Sequence, residues 1–85
     1  MNYQKQHIAV YQFLADKIRA APETLNMSRT LPSDVCTPSA VQQLVENGDI
    51  TLTGGDGRNH PMGKLTLWGE ETGARLIQEG RVVLR

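Results

Sequence analysis

The segment 37–68 constrains this chain more than any other. Thr37-Pro38 supplies a helix start: a hydroxyl that can accept from a free backbone N–H, and a proline whose fixed φ suits the first helical position. Val41, Leu44 and Val45 then make one apolar stripe, with Ser39, Gln42, Gln43 and Glu46 outward, and Asn47-Gly48 marks the stop. Immediately afterwards the period changes to two. Ile50 and Leu52 face one side, Thr51 and Thr53 the other. Gly54 to Gly63 is a ten-residue loop rich in glycine, after which Lys64-Leu65-Thr66-Leu67-Trp68 alternates again. The pattern predicts a bounded helix running straight into a β-hairpin with a long tip.

The flanks add helices. Tyr3, His7, Val10, Leu14, Ile18 and Ala21 recur at three- and four-residue spacing, with Phe13 widening the stripe and Lys5, Gln6, Gln12, Asp16 and Arg19 largely opposite. Pro22 ends that helix, because the residue before a proline leaves helical geometry. Glu23 to Arg29 reads as a short helix with Leu25 and Met27 inward. Pro32 forbids its continuation, and Ser33-Asp34 supplies turn chemistry. After the hairpin, Glu70 and Glu71 suit a helix N-terminus, and Ala74, Leu76 and Ile77 offer an inward face up to Gly80. The tail carries Val82-Val83-Leu84, a short strand or a docking segment that needs burial. There is no internal repeat.

Size and charge narrow the function. At 85 residues one core is expected, a single domain over 1–85. The lone cysteine, Cys36, excludes an internal disulfide framework and reads as a small buried residue. No run approaches the roughly 20 apolar residues of a membrane span, and the N-terminus leads into an amphipathic stretch rather than a signal peptide's apolar core. A soluble protein of a reducing, cytoplasmic compartment is expected. Nine Lys plus Arg balance nine Asp plus Glu, which argues against nonspecific coating of nucleic acid but leaves room for a small DNA-binding face. Chemistry has no constellation to work with. His7 and His60 are far apart, Cys-x-x-Cys and His-x-x-x-His spacings are absent, and Gly54-Gly55-Asp56-Gly57 lacks the helix and lysine of a phosphate loop. No catalysis, metal, cofactor or small-molecule substrate is expected.

The order helix, short helix, capped helix, two-stranded hairpin, helix resembles a winged helix-turn-helix domain. Thr37-Pro-Ser-Ala-Val-Gln-Gln-Leu-Val-Glu-Asn-Gly-Asp-Ile50 resembles the recognition helix of the multiple-antibiotic-resistance repressor type and its lead into the first wing strand. Lys64-Leu-Thr-Leu-Trp-Gly-Glu-Glu-Thr-Gly-Ala-Arg-Leu-Ile77 is similar to the second wing strand and the helix that follows. The resemblance is most specific over 37–80, about half the chain, and its motifs are mostly structural. It implies an α+β fold, a small winged helix-turn-helix with three to four helices and a two-stranded wing. Three departures accompany it. Pro32 stands where the first helix of the motif would continue, Lys and Arg are missing between Pro38 and Glu46, and the flanking dimerisation helices of larger members are lacking, a role open to the N-terminal helix or the tail.

On that resemblance the chain is a small transcriptional regulator that binds double-stranded DNA, as a homodimer because one module gives a small footprint. Thr37, Ser39, Gln42 and Gln43 would read base edges, and glutamine can pair bidentately with adenine. Phosphate contacts would come from Arg29, from Arg58 and His60 in the wing loop, and from Lys64 at its base, with Glu46, Asp49 and Asp56 close by and opposing. The bland alternatives are a solvated helix face and an ordinary hairpin tip. The other class of function is a protein-binding winged helix, such as a phage-encoded inhibitor or adaptor. The uncharged recognition helix favours that class, and Trp68, either packing at the core edge or anchoring a partner, is its candidate interface residue.

Overall fold

The computed structural model describes residues 1–20, 28–53 and 62–84. The first helix, α1, spans Lys5–Ala20. Its first turn is closed by a side chain: His7 Nδ1 accepts the Gln4 backbone N–H at 2.9 Å, the role that a glutamate takes in a capping box. Tyr3, just before the helix, and His7, Val10 and Leu14 are buried as the spacing predicts. Tyr11 and Ala15 extend the buried stripe along one flank. Phe13 and Ile18 are half-buried, and Ala21 lies outside the described residues.

The short helix expected at 23–29 does not extend to Arg29, which with Thr30 forms strand β1, Arg29–Thr30. Residues 23–27 lie outside the described residues. A tight turn then lies between β1 and the next helix. The Cys36 and Val35 N–H groups donate to the Pro32 carbonyl at 2.7 and 3.2 Å, which leaves Leu31 and Cys36 buried at its two ends. Pro32 sets this turn rather than a longer helix, because its ring forbids helical geometry at Leu31.

Helix α2, Pro38–Asn47, keeps both predicted boundaries. Thr37 Oγ1 accepts the Ala40 N–H at 3.4 Å. At the other end Gly48 takes φ 86°, a conformation costly for any residue with a Cβ. The Gly48 N–H reaches Val45 O at 3.0 Å and the Asp49 N–H reaches Leu44 O at 2.9 Å, the paired bonds of a Schellman stop.

Strands β2, Ile50–Thr53, and β3, Met62–Leu65, pair antiparallel with Ile50 opposite Leu65 and Thr51 opposite Lys64. β1 joins the other side of β3, so the expected two-stranded hairpin is a three-stranded antiparallel sheet in the order β1-β3-β2. Ile50 is buried and Thr51 exposed, but Leu52, predicted inward, is 39% exposed. It sits at the free edge of the sheet, where only Gly63 opposes it.

Thr66 ends β3. Its Oγ1 accepts the Gly69 N–H at 3.0 Å and so starts α3, Leu67–Gln78. Leu67 and Trp68 therefore belong to a helix, not to the alternating strand predicted for 64–68, and they are 81% and 49% exposed. The buried face of α3 is Gly69, Thr72, Gly73 and Leu76, with Ile77 half-buried; Ala74, predicted inward, is exposed. After the turn at Gly80 the tail docks as an irregular segment. Val82 is buried, and the Gln12 amide donates to Val83 O at 2.7 Å while accepting the Val83 N–H at 2.9 Å. The Arg81 guanidinium donates to the Tyr3 carbonyl.

One core lies between these elements, with Val10, Leu14, Leu31, Leu44, Ile50, Leu76 and Val82 at its centre. The chain thus forms a small α+β structure with three helices and an open three-stranded sheet among the described residues. No helix among them is long and apolar enough to cross a membrane.

Candidate nucleic-acid interface

The face of α2 away from the core is exposed at Ser39, Gln42, Gln43 and Glu46, as the helical period requires once Ala40, Val41 and Leu44 are buried. Thr37 is exposed at the head of that face, with its hydroxyl committed to the cap. The two glutamines differ in their surroundings. Gln42 Nε2 donates to Glu46 Oε1 at 3.1 Å, one turn along the same helix and in solvent. Gln43 Oε1 lies 2.5 Å from Nε2 of His7, on a different element. His7 is itself 3% exposed, so its partner is part of the fold as well as of the surface. Across an open polar groove, Gln43, Glu46 and Asn47 face Asn2, Gln4 and His7 of the N-terminal segment.

Below the end of α2 lies a buried polar hub that the sequence did not announce. Asp49 is fully buried. It follows a helix C-terminus, where the macrodipole disfavours an anion, and burial compounds the cost unless donors surround it. Three do. The Tyr3 and Tyr11 hydroxyls donate to Oδ2 at 2.6 and 2.5 Å, and Asn47 Nδ2 donates to Oδ1 at 2.6 Å. Burial, reinforced by hydrogen bonds to this carboxylate, pushes both phenols above their ordinary range. The Asp49 backbone is tied as well: its carbonyl accepts the Thr66 N–H at 3.0 Å, and the Thr66 hydroxyl also donates to Gly48 O at 2.6 Å. Thr66 thereby joins the end of α2 to the start of α3. Gly69 makes the closeness possible, since a Cβ there would stand 2.0 Å from Asp49 O.

The other predicted site residues are dispersed. Lys64 projects with Thr51 from the exposed face of the β2–β3 pair. Arg29 is on β1, at the opposite edge of the sheet from β2, in a groove with Phe13 and Lys17 of α1. Arg58 and His60 lie outside the described residues, as does Asp56. Asp49, expected to oppose DNA, is inside the protein and does not face solvent at all. Trp68 is in the first turn of α3 rather than on a strand face shared with Lys64 and Thr66, and beside Leu67 it forms an exposed apolar pair. Cys36 is buried as expected, and burial, with the nearby Asp34 charge, pushes its thiol up to about 11.

No family model, curated protein or solved structure matches the chain. The chemistry available to the site follows from its own residues: an exposed helix face of amide and hydroxyl side chains that ends in the Glu46 carboxylate, above the Asp49 hub. The sequence places His7 on the inner stripe and Asp49 beside the wing, without a sign that either supports α2 from within. His7 was placed inward by its helical spacing, but its link to residue 43 spans 36 positions and leaves no local signature.

Proposed function

We propose that this chain is a winged helix-turn-helix module that binds double-stranded DNA through α2 and acts as a small transcriptional regulator, working as a homodimer. The observation that carries the reading is the outer face of α2. Ser39, Gln42 and Gln43 stand together on a helix that is capped at both ends and leads directly into an antiparallel hairpin. Such a helix fits a major groove, and amide and hydroxyl groups can exchange hydrogen bonds with base edges. The order β1-β3-β2 is compatible with this reading, and a tight turn at Pro32–Cys36 leads into α2.

The test is a titration of labelled DNA fragments at low and at physiological salt, with light scattering for the oligomer. Sequence preference that survives added salt is expected. The log–log salt slope should be no steeper than about −4 per copy, because Arg29, Arg58, His60 and Lys64 are the four cationic candidates. Absence of DNA retention even at low salt would remove the reading.

One observation favours a second function. Leu67 at 81% and Trp68 at 49% exposure place an apolar pair in solvent, and tryptophan is a favoured anchor of protein interfaces. On that reading α3 docks on a protein partner. The two readings separate on Trp68→Ala, which should leave DNA binding intact if α2 is the binding element and abolish partner capture if α3 is.

A further inference from the structure

We infer that His7 sets the base preference of α2 by fixing which end of the Gln43 amide faces outward. This role rests on the DNA reading of α2. A backbone N–H can only donate, so His7 Nδ1, 2.9 Å from the Gln4 nitrogen, is the acceptor and the imidazole proton sits on Nε2. Nε2–H then donates to Gln43 Oε1 at 2.5 Å. The imidazole is not free to turn. It is buried, anchored through Gln4, and stands edge-on to the Tyr3 ring with centroids 6.4 Å apart and planes at 88°. The oxygen of Gln43 is therefore drawn toward α1, and the NH2 of the same planar amide is left to the exposed face of α2.

That commitment changes what the residue can read. A free glutamine recognises adenine with its oxygen and nitrogen together. With its oxygen held against His7, Gln43 turns its NH2 donors toward the groove. Guanine presents two adjacent acceptors in the major groove, O6 and N7, whereas cytosine presents a donor. Gln43 is thus matched to guanine and mismatched to cytosine. On Gln42 it is the nitrogen that is engaged, one of its two N–H groups donating to Glu46 at 3.1 Å.

Selection of randomised duplex DNA by the full chain, read by sequencing, tests this with two variants. The unaltered protein should enrich guanine at one position. His7→Phe fills the space without the donor and frees the amide, so the guanine-to-adenine ratio there should fall about tenfold. Gln43→Glu keeps an acceptor for Nε2–H but shows only acceptors to the groove, so the same position should change to cytosine, whose amino group donates. Guanine retained in His7→Phe, or adenine preferred by the unaltered protein, would overturn the role of His7 while the DNA reading stands. If His7→Phe does not fold, the imidazole 15N shifts of the unaltered protein decide: a proton on Nε2 is expected, and a proton on Nδ1 would overturn the role. A flat profile from the unaltered protein would sink the DNA reading itself, and this role with it.

Discussion

Asp49 shows how one residue can define the chemistry of a small core. A buried carboxylate is tolerated because the Tyr3 and Tyr11 hydroxyls and the Asn47 amide all donate to it. Tyr11→Phe removes one of those donors and should cost about 1.5–3 kcal/mol, measured by urea unfolding. The same bonds give the protein an alkaline limit. Both phenols ionise above their ordinary value of about 10 in the folded state, so between the two values the native protein holds more protons than the unfolded chain. Their contribution to stability is complete below pH ~10 and is lost as pH rises through the native values. Tyrosinate absorbance followed alongside circular dichroism should show ionisation of these two rings only as structure is lost; ionisation ahead of unfolding would contradict the hub. At Gly69 the constraint is space. Gly69→Ala puts a methyl 2.0 Å from a backbone oxygen that cannot rotate away, and a loss of about 1–3 kcal/mol is expected. A variant as stable as the parent would mean that α2 and α3 are not held as close as described.

At the scale of elements, what could be read beforehand was what local chemistry dictates. Thr37, Pro38 and Gly48 bound α2 because caps act within a few residues, and alternation marks β2 over 50–53. The second strand is displaced, running over 62–65 instead of 64–68, so Met62 and Gly63 belong to it and not to the loop. Elements whose reasons lie far away in sequence were misread. β1 is two residues long and exists because β3 offers an edge. The inner face of α3 was invisible as an apolar stripe, since Gly69, Thr72 and Gly73 are buried for closeness rather than hydrophobicity. On α2 the neighbouring glutamines looked alike in the sequence, yet only one is joined to another element. Gln42→Ala should leave the unfolding midpoint nearly unchanged, because its bond among the described residues is to exposed Glu46. Gln43→Ala should cost about 1–3 kcal/mol, since it leaves the buried His7 nitrogen without its acceptor. Equal effects from the two substitutions would show that the His7 bond does not persist in solution.

Across the whole molecule, the first and last described segments are stitched to each other. Gln12 holds Val83 by two hydrogen bonds, Arg81 donates to the Tyr3 carbonyl, and Val82 is in the core. Deleting residues 81–85 should therefore cost at least about 2 kcal/mol through Val82 alone. The melting temperature should fall by roughly 4–8 °C for each kcal/mol in a domain of this size. A truncated chain that melts with the parent would show the tail to be ornament. The contact between residues 3 and 81 also has a consequence for biosynthesis. During synthesis α1 precedes the other elements described, and the partner of the Tyr3 carbonyl is made 78 residues later. Until Arg81 and Val82 have been made, the Tyr3 carbonyl lacks its hydrogen-bond partner and α1 part of its core, so this unit closes only after its last contacts are synthesised rather than helix by helix.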